Sequence, residues 1–309
     1  MSADHSKGTT LYLVDASIYI FRAYFSLPER WPSPQGYPQN AVYGYTSFLL
    51  DFIQDLGARQ SHCVAATFDE SLGSCYRNRI YPDYKVSREL PDEALAYQLD
   101  ACRRVTELMG IACFAGSEYE ADDYIATLAR LGRERGQGVT VVSRDKDLGQ
   151  ILLSEHDRLW DYAGGSRMDR GQFCEKFGVW PEQFADYQGL VGDSIDDIPG
   201  VPAVGAKTGA RLIQAFGSLE ALEEQRDELT DLSIRGAAKI SKNLHSHWQS
   251  AIISRQLARL ADTIEGIELP APFRLTQTAA AALLEYLEQI QLTGGVIYRL
   301  RSLQSSLED

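Results

Sequence analysis

The chain has 309 residues, 44% of them hydrophobic and 24% charged, and its 30 basic and 43 acidic residues give a net charge of −13. This length supports a substantial core in one large or two smaller domains, and the composition excludes a low-complexity or disordered chain. MSADHSKGTT at the N-terminus lacks a signal-peptide core, no uncharged run reaches membrane-spanning length, and Cys63, Cys75, Cys102, Cys113 and Cys174 include no C-x-x-C pair. A disulfide frame, a zinc knuckle and a membrane span are thereby excluded, which points to a cytoplasmic protein with reduced thiols.

In chain order, LYLVDA (11–16) is a short apolar run that ends in an acid, HCVAATFD (62–69) has the same form, and VTVVSRDKD (139–147) repeats it. Helical spacing of apolar residues lies between them, in YGYTSFLLDFIQDLG (43–57), LAYQLDACRRVTELMG (95–110) and the stretch after Glu120. Strands alternating with helices predict an α/β fold with a central, mainly parallel sheet flanked by helices. Each strand carries its acid at the carboxyl end: Asp15, Asp69, then Asp145 with Asp147. Parallel sheets build ligand sites at that edge, although a lone strand-end Asp is often only a cap or turn former.

SLGSCYRNRIYPDYKVSRELPDE (71–93) follows the second strand and interleaves Arg77, Arg79, Lys85 and Arg88 with Tyr76, Tyr81 and Tyr84. Cations track phosphates and aromatic faces stack bases, so the composition suits single-stranded nucleic acid as well as it suits a solvated loop. EYEADDYIATLA (118–129) then places Glu118, Glu120, Asp122 and Asp123 within six positions. Ser117 and Glu120 form an S-x-x-E capping box, and first-turn acids suit a helix dipole, so a decorated helix start and half of a metal seat both remain open.

From about residue 176 the pattern turns helical. GLVGDSIDDIPGVPAVGAKTGARLIQAFG (189–217) predicts two helices joined by a Pro/Gly-rich turn, and 233–262 predicts further helices bearing basic residues. GVPAVGAKT departs from the P-loop spacing by one residue and lacks a leading strand, so it reads either as a duplex-backbone grip, with Lys207 and Arg211 beside it, or as an ordinary helix turn. Asp193 and Asp196 would share a helix face, with no lysine in sequence reach. AAALLEYLEQI (280–290) predicts one more helix.

Asp15, Asp69, Glu120, Asp122, Asp123, Asp145, Asp147, Asp193 and Asp196 together cannot stay ionised in one pocket without cations. Oxygen-only donors favour Mg²⁺, with Mn²⁺ able to substitute, and two such ions catalyse phosphodiester hydrolysis. Removing those nine charges from −13 leaves −4, so overall acidity does not exclude a nucleic-acid substrate.

Taken in order, LYLVDAS, ATFD, DYKVSR, EYEADDYIATLA, VVSRDKDL and GLVGDSIDDIPGVPAVGAKTGA resemble the motifs of the flap-endonuclease-like 5′-nucleases. The likeness is to the bacterial branch, which includes the 5′–3′ exonuclease domain of DNA polymerase I and free-standing relatives such as exonuclease IX, and it covers roughly residues 10–265. The resemblance implies a PIN-like, resolvase-like catalytic domain over 1–175 with a basic arch at about 71–94. A helix–three-turn–helix DNA-binding region over 176–265 and a C-terminal segment, 266–309, packing on the core would follow. It implies a first metal on Asp15, Asp69 and Glu120, Asp122 between two ions, a second metal served by Asp145, Asp147, Asp193 and Asp196, and Asp123 as a further acid. It assigns Lys85 and Arg77 to catalysis, and Arg77, Tyr84, Lys85, Arg88, Gly200, Gly205, Lys207, Thr208 and Arg211 to DNA, with K⁺ at the hairpin.

The expected activity is cleavage of branched, flapped or 5′-ended DNA in replication and repair by a monomer, with no protein partner inferable. A DNA-structure-binding protein with weak catalysis and a PIN-type ribonuclease are the alternatives. The chain stops where a polymerase would continue, which a truncated polymerase would also do; Met1 and the untagged ends lead to the expectation of a complete small protein.

Overall fold

The computed structural model describes residues 10–57, 62–71, 73–231 and 236–307. The N-terminal stretch read for a signal peptide, apart from its last residue, and positions 233–235 of the basic helical segment lie outside the described residues.

Among the described residues six strands form one sheet: β1 (Leu11–Asp15), β2 (Cys63–Thr67), β3 (Ala112–Phe114), β4 (Val139–Val142), β5 (Arg158–Asp161) and β6 (Ser166–Met168). Their order is β3-β2-β1-β4-β5-β6, parallel except for β6, which runs antiparallel to β5. The chain fills one side of β1 first and then crosses to the other side at β4. The strand order therefore reverses between β1 and β4, the kind of place where open α/β sheets bind ligands.

Side chains on successive strand positions point to opposite faces, and each face has its own core. Val14, Val64, Ala66 and Val142 pack on one side; Leu11, Leu13, Ala65, Val139 and Val141 pack on the other. The first face is covered by α1 (Ala16–Ser26), α2 (Asn40–Leu56) and α4 (Glu93–Leu108); a one-turn helix, α3 (Tyr76–Ile80), lies between α2 and α4 in sequence. On the second face α5 (Ala121–Glu134) turns its buried Ile125, Leu128 and Ala129 to the strands.

An all-helical region continues that second core through α6 (Arg170–Phe177), α7 (Phe184–Val191), α8 (Ala206–Phe216), α9 (Leu219–Glu224), α10 (Ala237–Ser246) and α11 (Trp248–Ala258). The C-terminal α12 (Gln277–Gln289) and α13 (Gly295–Gln304) return to the first face, where Leu283, Leu287, Val296 and Leu300 are buried with α2 and α4. Among the described residues no helix is long and apolar enough to cross a membrane, and all five cysteines are free thiols.

Close backbone contact shapes the α7–α8 connection. Gly192 (φ 73°) and Gly200 (φ 62°) face each other so closely that a Cβ on Gly192 would lie 2.5 Å from the Ile198 carbonyl, and one on Gly200 2.5 Å from the Gly192 nitrogen. Positive φ and the absence of any room for a side chain together require glycine at both positions. The buried Ser254 hydroxyl on α11 accepts the Gly200 N–H at 2.9 Å and ties the turn to the next helix.

Candidate metal centre and nucleic-acid interface

β2, β1 and β4 are neighbours, so their carboxyl ends lie side by side, and the start of α5 joins them there. Asp15 ends β1 and accepts the Ile18 N–H of α1 and the Ser143 hydroxyl at 2.9 Å. Asp69, just past β2, accepts the Ser71 hydroxyl at 2.8 Å, and its own N–H donates to the Ser17 hydroxyl at 3.1 Å. Past β4, the Asp145 N–H donates to Ser143 at 3.0 Å, and Asp145 in turn accepts the Asp147 N–H at 2.9 Å. Gln188 of α7 donates to Asp147 at 2.8 Å. Sequence reasoning missed Ser17, Ser71, Ser143 and Gln188; small polar residues directly beside strand-end acids were the available signal for the three serines.

The electrostatics place these carboxylates in one basin. Burial, and then the charges of Asp145 and Asp69, push Asp15 up to about 7 against the opposing hydrogen bond from Ser143. Burial, followed by Asp145 and Asp15, holds Asp122 well above the usual carboxylate range, and burial with Asp145 pushes Asp147 up to about 7. Asp145 acts on all three, so it sits among them. Mutual repulsion of this kind is the condition that hard divalent cations relieve, and an all-oxygen donor set suits Mg²⁺ or Mn²⁺ better than zinc. Among the described residues no three acids converge closely enough to grip an ion as they stand. Like charges repel across the basin, and two lysines draw acids to themselves instead, Lys85 chiefly Glu120 and Lys146 chiefly Asp193. Lys85 Nζ lies 2.6 Å from Glu120, and Lys146 Nζ lies 2.5 Å from Asp193. Burial alone would raise Glu120, but Lys85 and Arg77 outweigh it and hold its carboxyl below the usual range; the Lys146 hydrogen bond does the same for Asp193.

Asp123 corrects the sequence reading. It is fully buried and its two oxygens accept four donors: Arg77 Nη1 at 2.7 Å, Arg77 Nη2 at 2.8 Å, the Glu120 N–H at 3.1 Å and the Ala261 N–H at 2.8 Å. No lone pair remains for an ion. The α5 cap is accordingly the pair Glu120–Asp123 rather than Ser117–Glu120, three residues later than the sequence box. Glu118 stays outside the helix, paired with Arg79.

Arg77 is corrected with it. Only 1% exposed, it donates to Asp123, to the Leu257 carbonyl at 2.7 Å and to the Arg259 carbonyl at 3.0 Å, and its Nη1 lies 3.3 Å from Glu120. All its donors are spent inside the protein, so it pins α3 to α5 and to the end of α11 and does not face a phosphate. Tyr84 is 4% exposed and donates its hydroxyl to Glu120 at 3.0 Å, with Lys85 over its ring; it offers no free face to a base.

The 193–197 stretch is also not the helical face that spacing suggested. It is a turn closed by an Asp193–Ile198 bridge, and its cationic partners come from elsewhere in the chain: Lys146 for Asp193, Arg88 (2.5 Å) and Lys85 (3.8 Å) for Asp196. Ser87 adds a 2.7 Å hydrogen bond to Asp197. The 84–88 segment thus lies directly over the acids.

Beside this basin the α7–α8 turn opens to solvent. Gly205, Ala206 and Lys207 are exposed at the start of α8, where no side chain caps the helix, Thr208 is half-buried, and Arg211 is exposed one turn on. The uncapped helix start, the positive end of the helix dipole and two cations at i and i+4 make this a positively polarised surface.

Strand-end acids at the edge of a mainly parallel sheet, beside an exposed helix start at the α7–α8 turn, are the arrangement to set against known proteins. Comparison with known proteins gives the family. The 5′–3′ exonuclease N-terminal resolvase-like domain matches residues 10–178, and the 5′–3′ exonuclease C-terminal SAM fold matches 179–289. DNA polymerase I of Rhizobium leguminosarum is 36% identical over 82% of this chain and 25% of its own length, so the chain spans about a quarter of that relative. A 5′–3′ exonuclease of Buchnera aphidicola subsp. Schizaphis graminum is 30% identical over 88% of this chain and 91% of its own length. The structure of T5 5′-exonuclease with bound zinc superposes with a TM-score of 0.64 at 18% identity, covering 97% of this chain and 100% of that one. The chain belongs to the 5′–3′ exonuclease family.

The raised carboxyls fix a pH dependence whose sign is the reverse of a salt-bridged Asp. A folded-state pKa above the unfolded value means that the folded protein holds the proton more tightly. The corresponding stability is fully present below the ordinary Asp value near 4 and is lost as pH rises through about 7 for Asp15 and Asp147. In chelator the melting temperature should therefore fall between about pH 5 and pH 8, and millimolar Mg²⁺ should raise it more at the higher pH. Saturation at about 100 times Kd adds about 2.7 kcal/mol. Thermal melts in both buffers check this; an equal Mg²⁺ shift at both pH values would contradict it.

Proposed function

We propose that the protein is a divalent-metal-dependent 5′-nuclease, acting as a monomer, that hydrolyses phosphodiesters near 5′ ends and 5′ flaps of branched DNA. The observation that carries the reading is the placing of Asp15, Asp69, Asp145 and Asp147 at the carboxyl ends of the neighbouring strands β1, β2 and β4, in a chain of this family. Asp15, Asp69, Glu120 and Asp122 would hold one cation, and Asp145, Asp147, Asp193 and Asp196 a second; Asp123 is left out because its oxygens are already filled. Bound there, Mg²⁺ or Mn²⁺ would supply Lewis-acid activation of a water and neutralise charge on the leaving oxygen.

The chain's own groups do the positioning. Ser143, Ser71 and Gln188 hold the carboxylates in orientation, which lowers the reorganisation needed at the moment of reaction. Lys85, now on Glu120, is the cation placed to donate to a non-bridging oxygen of the scissile phosphate, and the exposed Arg88 follows the 5′ strand. Lys207, Thr208, Arg211 and the N–H groups at the start of α8 take the duplex backbone, with the Gly200–Gly205 turn as the place for K⁺.

A 5′-labelled flap duplex incubated with the protein and Mg²⁺ tests this. Cleavage close to the junction is expected, absent in chelator and slower on single-stranded DNA. No cleavage at any Mg²⁺ or Mn²⁺ concentration overturns the reading. Lys85→Ala should slow single-turnover cleavage by about 10²-fold, as for loss of one oriented donor, while duplex affinity changes little; an unchanged rate would remove Lys85 from the site.

A further inference from the structure

Lys146 stands between two acids in the sequence R-D-K-D and begins the short 3-10 turn Asp147–Ile151. That turn swings its side chain off the sheet edge toward the α7–α8 connection, where Nζ lies 2.5 Å from Asp193 and 3.2 Å from Asp147. Each acid is independently anchored: Asp147 by the Gln188 amide at 2.8 Å, Asp193 by the Ile195 N–H at 2.8 Å. The lysine therefore does not orient them. On Asp193 it takes the oxygen that the anchor leaves over, and on Asp147 it straddles both oxygens, 3.2 Å from the one Gln188 holds and 3.5 Å from the other.

Its setting differs from that of Arg77. The Arg77 guanidinium is 1% exposed and locked into a fork with Asp123, whereas the Lys146 side chain is 39% exposed on a flexible four-carbon stem. Its two carboxylates are only 15% and 8% exposed, but the part-exposed ammonium has a path to solvent and can leave them. A mobile ammonium on two anchored carboxylates is a competitor for any divalent ion that would use the same oxygens.

We infer that Lys146 is a tethered counter-cation that competes with the second divalent ion for Asp147 and Asp193, and so sets the metal concentration at which that half of the centre fills. The inference rests on the metal reading of the acids given above. It also links two elements: while the lysine bridges Asp193 to Asp147 it ties the duplex-gripping turn to the sheet edge, and an arriving ion takes over that tie.

Calorimetric titration of Mn²⁺ into the full chain and into Lys146→Met, without DNA, tests the inference independently of catalysis. Lys146→Met keeps the stem and removes the charge; the weaker of the two ions should bind about tenfold tighter, as expected for releasing two partly exposed ion pairs, with the tighter ion nearly unchanged. Lys146→Arg keeps the charge and should retain the weak binding of the parent, which separates charge from shape. Equal or weaker second-ion binding in Lys146→Met, with two ions still bound, overturns the competition while leaving the metal centre intact. Absence of Mn²⁺ binding in all three proteins overturns the metal reading itself.

Discussion

Asp147→Asn is expected to lower flap cleavage by at least about 10³-fold, equivalent to about 4 kcal/mol of transition-state stabilisation, while leaving DNA affinity within about threefold. The substitution is nearly isosteric. The amide oxygen can still accept from Gln188, so the turn after β4 keeps its shape, but one charge leaves the basin that would hold the second cation. The proposed duplex grip, at the start of α8 with Lys207 and Arg211, is not altered by the substitution. Single-turnover cleavage and a binding isotherm in Ca²⁺ measure the two quantities separately. A large loss of binding with a preserved rate on bound substrate would show that Asp147 shapes the DNA surface and not the reacting centre.

Arg77→Ala carries the largest expected effect on stability. It strands the fully buried Asp123, leaves the Leu257 carbonyl without its donor and leaves the Arg259 carbonyl only the long bond from the Tyr76 hydroxyl. Breaking a buried pair from one side costs about 3–5 kcal/mol, mainly because an uncompensated charge remains, and for a chain of this size that lowers the melting temperature by roughly 5–8 °C. Arg77→Lys should recover only part of the loss, since an ammonium cannot reproduce the two parallel hydrogen bonds. A thermal melt decides between the roles of Arg77. An unchanged melting temperature accompanied by weak DNA binding would restore the phosphate-contact role assigned from sequence.

These two residues also mark where sequence reasoning succeeds and where it stops. β1, β2 and β4 were legible because a continuous apolar run ending in an acid is a pattern that few structures other than a doubly covered parallel strand can satisfy. Their neighbourhood in the sheet then brought Asp15, Asp69 and Asp145 together with no further information. β3 and β6 span three residues, too short for any period to register, and β5 is as short as β4 but carries a charge at each end (Arg158, Asp161) in place of an apolar run. Arg77 and Tyr84 were misread because a basic, tyrosine-rich segment has the same composition whether it reaches outward to phosphate or folds back onto a buried Asp. The partners that decide the matter lie 46 residues away for Asp123 and 180 for Leu257. Asp193 and Asp196 lacked a lysine in sequence reach for the same reason: Lys146 is 47 residues away. Spacing identifies which strand ends carry charge, and tertiary pairing determines which of those charges remain available.

In the proposed function the sheet-edge carboxylates form a two-cation centre from which Asp123 is excluded. Anomalous diffraction from a crystal soaked in Mn²⁺ tests it most directly. Two peaks are predicted, one contacted by Asp15, Asp69 and Asp122 and the other by Asp145, Asp147 and the 193–196 turn, with Asp123 still paired to Arg77. No ordered Mn²⁺ among these acids, or a peak on Asp123 with Arg77 displaced, would contradict the account.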